Sequence, residues 1–164
     1  MVAKIEIRVG GSENILIFKD ATPSFSGEVI TNRVIEVQTV AGTITIPFAY
    51  TGSLNDEVSY TFSKPYAVKA KLIHTPSSPV NGSVYSDTVY TAMLNKYKDM
   101  IKSKVTSLIY TIDPKNILTS PQSLLREIEW CKALYDAAGD FIQEGDLTSS
   151  QESIDGLEEI SKAV

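Results

Sequence analysis

Thiols, imidazoles and long apolar runs are scarce or missing in this chain of 164 residues. One cysteine, Cys131, excludes an internal disulfide and an all-cysteine zinc site. It falls in a helical pattern, where a small buried hydrophobe is the expected role. One histidine, His74, excludes a two-histidine metal site within the chain. It stands at the end of a strand-like run, and no neighbour in sequence marks a nucleophile for it to serve. A surface or capping histidine is therefore expected. No apolar stretch approaches the roughly 20 residues of a membrane span. The opening Met1-Val2-Ala3-Lys4-Ile5-Glu6 puts charge inside the first strand-like run. That is unlike a signal peptide, so cytoplasmic synthesis is expected.

The usual signatures of catalysis are also missing. There is no Gly-x-Ser-x-Gly elbow, no Walker loop and no dinucleotide-binding glycine fingerprint. Gly10-Gly11 follows a strand pattern, but no helix begins after it to complete a phosphate cradle. Asp136, Asp140 and Glu144 recur every four residues, with Asp146 close behind. Such a row could offer oxygen ligands to a hard cation, but it lacks the ligand spacing and glycine of an EF-hand loop. A solvated helix face is the expected reading. No enzyme activity and no cofactor are expected.

What the chain does hold is a change of period. Ile5, Ile7 and Val9 alternate with Lys4, Glu6 and Arg8, and Gly10-Gly11-Ser12 offers a tight turn. Ile15 to Phe18 is a continuous apolar run. Val34 to Val40, a turn at Ala41-Gly42, and Ile44, Ile46, Phe48 and Tyr50 read as a hairpin. Pro47 cannot donate a ladder hydrogen bond, which points to an edge position or a bulge. Two further alternating faces follow: Val58, Tyr60 and Phe62, then Tyr66, Val68, Ala70 and Leu72. The expectation is a small antiparallel β-sandwich or barrel over residues 1–73. Residues 74–86, with Pro76, Pro79, Gly82 and several serines, read as a linker or long loop.

Residues 87–164 read as helical. Ser86 can cap a helix to about Ile109, with Tyr90, Met93, Leu94, Tyr97, Ile101, Val105 and Leu108 as its apolar stripe. Ser120-Pro121 opens a second long helix to about Glu144, with Gly145 as its stop. Ser149-x-x-Glu152 suggests a capping box for a short third helix carrying Ile154, Leu157, Ile160 and Val164. So short a helix needs something to pack on, either within the chain or on another one. The fold class is thus α+β.

Charge is distributed unevenly. From Ser120 onward ten acidic residues face three basic ones, a net −7 that leaves the rest of the chain at +2. Lys98 and Lys102 lie one turn apart on the first helix. An acidic tail meeting these lysines on another copy would give head-to-tail association. The candidate interface is therefore Lys98, Lys102, Asp136, Asp140, Glu144, Ile154, Leu157 and Ile160. The overall −5 disfavours nucleic acid. The expected partners are copies of the chain or a larger protein assembly, with no membrane. The expected function is a non-enzymatic structural or assembly subunit, most concretely a small phage-like head, neck or tail component of a virion. The alternatives are a ligand- or peptide-binding β module and an enzyme with a dispersed carboxylate site.

Overall fold

Period-two patterning becomes strands wherever one face can be buried. The computed structural model describes residues 3–23, 29–76, 80–110 and 146–163, together with the helical Ala133. The described elements are β1 (Ile5–Val9), β2 (Ile15–Asp20), β3 (Asn32–Thr39), β4 (Gly42–Pro47), β5 (Glu57–Thr61), β6 (Lys69–Thr75), β7 (Val80–Val84), α1 (Ser86–Tyr110) and α2 (Leu147–Ala163). The strands form two antiparallel sheets, one of three strands in the order β1-β2-β5 and one of four in the order β4-β3-β6-β7. The fold class is α+β.

One apolar core joins both sheets and both helices. Ile5, Leu16 and Phe18 come from the first sheet and Ile35, Val37, Ile46, Ala70 and Leu72 from the second. The helices add Val89, Tyr90, Met93, Leu94, Tyr97, Ile154, Leu157 and Ile160. Strand parity selects these residues: positions i and i+2 share a face, so Leu16 and Phe18 are buried together while Ile15 and Ile17 are only half-buried. Pro47 closes β4, which lies at the edge of its sheet.

Residues 74–86 depart from the linker expected there. His74 and Thr75 complete β6, and Val80–Val84 forms β7, paired antiparallel with β6. Val80 and Val84 pair with Leu72 and Lys69, so the serine- and glycine-rich composition did not prevent a strand once a neighbour offered a ladder. The register is irregular between Lys69 and Lys71, and Gly82 lies at that point. A Cβ at Gly82 would collide with the Ala70 carbonyl oxygen, so only glycine allows this approach.

The C-terminal helix starts earlier than the serine–glutamate pattern suggests. Asp146 is the cap: its carboxylate accepts from the Ser149 backbone nitrogen (3.0 Å) and from Ser149 Oγ (2.9 Å). Those bonds hold the Asp146 carboxyl below the usual carboxylate range. α2 packs on α1 through Ile154, Leu157 and Ile160, and it also grips the β half. Gln151 Oε1 accepts from the Ala67 backbone nitrogen at 2.8 Å, while Nε2 donates to the Pro65 carbonyl at 2.9 Å. Lys64 Nζ meets Asp155 at 3.0 Å. The long helix expected over Ser120–Glu144 lies outside the described residues apart from Ala133. Among the described residues, no helix is long and apolar enough to cross a membrane.

Candidate functional site

Among the described residues the densest set of ionisable side chains is internal, and each member follows from strand parity. Asp20 sits two residues beyond Phe18 on β2. Arg33 sits two before Ile35 on β3. His74 sits two beyond Leu72 on β6. Each strand has carried its inward-facing series one step past its apolar residues, so the three side chains enter the interior at one end of the core. Arg33 and His74 are register partners on adjacent strands, and Asp20 reaches them from the other sheet.

The geometry is closed. Arg33 Nη1 donates to Asp20 Oδ2 at 2.9 Å, and His74 Nε2 lies 2.9 Å from the same oxygen. Asp20 Oδ1 accepts from Thr22 Oγ1 at 2.5 Å and from the Thr22 backbone nitrogen at 3.1 Å. Arg33 Nε donates to the Phe48 carbonyl at 3.0 Å. Its Nη2 donates to the Ala49 carbonyl at 3.0 Å and to Asp56 Oδ2 at 2.6 Å. The guanidinium also lies over the Phe48 ring, 3.8 Å from its centroid. The side chains of Asp20, Arg33 and His74 are all 0% exposed.

These contacts set the charge state. Burial works to raise the Asp20 carboxyl, but hydrogen bonds from Thr22, His74 and Arg33 outweigh it and hold the group below the usual carboxylate range. The Thr51 hydroxyl and Arg33 lower Asp56 in the same direction. Buried charges survive only when paired and hydrogen-bonded, and this cluster meets both conditions. Its chemistry is that of a cross-sheet clasp: it ties β2, β3, β6 and the Phe48–Asp56 segment to one another. The Asp20, Arg33 and His74 side chains present no surface to solvent. His74, expected at the surface or as a cap, is fully interior because its strand continues inward past the apolar series.

The candidate interface residues fare differently from one another. Ile154, Leu157 and Ile160 are 0%, 1% and 8% exposed and belong to the chain's own core. The physical reason is that α1 offers a complementary stripe, with Tyr90, Met93, Leu94 and Tyr97 buried against the same cluster. Lys98 is half-buried on α1, and Lys102 lies one turn further along the same helix. Asp136, Asp140 and Glu144 lie outside the described residues. Burial between the helices raises the Tyr90 phenol well above its ordinary value.

Open clefts among the described residues include two with charged walls. One, of 210 Å³, lies where the β1–β2 turn and the Ser63–Pro65 segment meet the helices, with Glu13, Lys64, Lys96 and Glu158 in its walls. The other, of 360 Å³, lies on the solvent face of the four-stranded sheet among Glu36, Gln38, Lys69, Lys71 and Gly82. Among the described residues, no group of three or more His, Cys, Asp or Glu side chains is arranged to hold a metal ion. Comparison with family models, curated proteins and solved structures returned no match to this chain.

Proposed function

We propose that this chain is a non-enzymatic structural or assembly subunit working through protein–protein contacts, in its most concrete form a small head, neck or tail component of a phage-like virion. The observation that carries this reading is the closed state of the Asp20–Arg33–His74 cluster. The strongest concentration of reactive groups among the described residues is committed to joining two sheets and is sealed from solvent. An interior that spends its charges on rigidity suits a part that must keep its shape in an assembly. We read the two sheets as a small sandwich closed by this clasp, with the helix expected over Ser120–Glu144 completing a helical layer of two long helices and one shorter one.

Charge asymmetry supports the same reading, since the −7 segment from Ser120 onward accompanies a +2 remainder. Light scattering of the full chain at low and high salt tests it. The expected result is a multimer whose mass falls as salt screens the contacts. A single-chain mass at every salt and protein concentration would overturn self-assembly.

A second reading, a ligand-binding β module, is favoured by the 360 Å³ trough with Lys69 and Lys71 on its walls. That volume falls within the roughly 300–1,000 Å³ of small-ligand sites. Titration with inorganic phosphate, followed by amide shifts of β6, tests it. Absence of saturable shifts there would exclude an anion site.

A further inference from the structure

An open sheet edge exposes a row of unpaired backbone groups, and folded proteins guard such edges with charge, proline, bulges or cover. Among the described residues all four outer strands carry a guard of that kind, but on β4 it is confined to one end, at Pro47. β1 has Glu6 and Arg8, β5 has Glu57, and β7 has the register irregularity beside Gly82. β4 differs. Between Gly42 and Pro47 it reads Thr43-Ile44-Thr45-Ile46, with no charge and no irregularity in its pairing to β3. Thr43 and Thr45 are exposed on the outer face. Ile44 points inward but is only partly buried, and among the described residues no strand lies beyond β4.

We propose that β4 is an assembly edge that pairs antiparallel with β4 of a second copy, about a two-fold axis through Ile44. This names the partner and surface for the assembly reading above and rests on it. The strand is self-complementary in one register. With the axis at Ile44, Ile44 meets its own symmetry mate on the core side. Thr43 and Thr45 meet each other across the axis on the outer side, a favourable cross-strand pairing. Gly42 meets Ile46, and the ladder ends on both sides at once.

Other registers fail for identifiable reasons. Sliding two residues one way brings Pro47, which has no N–H, into the ladder. Sliding two the other way runs into the Val40–Ala41 turn. Sliding by one turns the inner face of one sheet onto the outer face of the other. The pairing is isologous and closes on itself. It joins two four-stranded sheets into one continuous sheet and covers the remaining exposed surface of Ile44.

The test is size-exclusion chromatography with light scattering at high salt, where charge-guided contacts are screened and a backbone ladder is not. The full chain is expected as a dimer. Thr45→Lys is expected to halve the mass with an unchanged circular dichroism spectrum, and Thr61→Lys on β5 to leave the dimer intact. In a Cys131→Ser background, Ile44→Cys is expected to give a disulfide-linked dimer on oxidation, which keeps the question decidable if Thr45→Lys fails to fold. A multimer whose mass is unchanged by Thr43→Lys and Thr45→Lys, with no Ile44→Cys crosslink, overturns the edge pairing while the assembly reading stands on another surface. A single-chain mass for the unaltered protein at every concentration and salt overturns both.

Discussion

The two ends of this molecule's interior are filled by opposite means. Where β2, β3 and β6 run past their apolar residues, the space is closed by Asp20, Arg33 and His74 in a hydrogen-bonded cluster. Where α1 meets α2, it is closed by Tyr90, Met93, Leu94, Tyr97, Ile154, Leu157 and Ile160. Both regions are buried, but they differ in tolerance. An apolar contact is non-directional and degrades in proportion to the atoms removed. A buried ion cluster works best when complete, because removing one member leaves its partners short of a hydrogen bond or a countercharge. The clasp thereby fixes how the sheets meet, while the helix seam supplies burial.

The largest expected effect comes from breaking the clasp. Arg33→Ala should destabilise the chain by about 3–5 kcal/mol, because Asp20 is left buried without its cation. Urea unfolding measures this. Asp20→Leu combined with Arg33→Met should cost less than Arg33→Ala alone, since it removes both charges. A larger loss in the double variant would show that Arg33 acts through packing on Phe48 rather than through its charge.

The matching cut in the helix seam is Leu157→Ala. A cost of about 2–5 kcal/mol is expected from lost burial and the cavity left behind. In this region Leu157→Met should recover most of the loss, because Met fills similar volume. A seam that tolerated Leu157→Ala without change in the unfolding midpoint would contradict the packing of α2 described above.

Acid separates the two regions without mutation. Asp20 is held below its ordinary value in the folded chain, so it contributes stability above the unfolded carboxylate pKa of about 4. That contribution is lost as pH falls through the lower folded value. Asp56 has the same sign. The unfolding midpoint should therefore drop on acidification, and Asp20→Asn should flatten the drop. The smallest effect belongs to the exposed cap: Asp146→Ala should lower the melting temperature by less than Leu157→Ala, with a pH dependence of the same sign as Asp20.

Much of the architecture was legible in the residues. Alternation placed Ile5, Ile46, Ala70 and Leu72 on inward faces, and the stripe from Tyr90 to Tyr97 placed α1 against a core. Pro47 pointed to an edge or a bulge. The clasp was legible in principle as well: extending each apolar series by two residues reaches Asp20, Arg33 and His74, of complementary charge. Read singly, His74 looked like a surface or capping group. The signal was in the set, not in any one position.

β7 was hidden for a different reason. Val80-Asn81-Gly82-Ser83-Val84 has weak strand propensity of its own, and it became a strand because β6 presented an open ladder. In the same way the apolar face of α2 stated that a partner was needed, while only the packed chain showed α1 to be that partner. Sequence alone thus determined periods, faces and breaks, because these follow from residue geometry over a few positions. The tertiary structure decided which faces met, where the charges were buried and which strands lay at the sheet edges, because those depend on contacts between residues far apart in the chain.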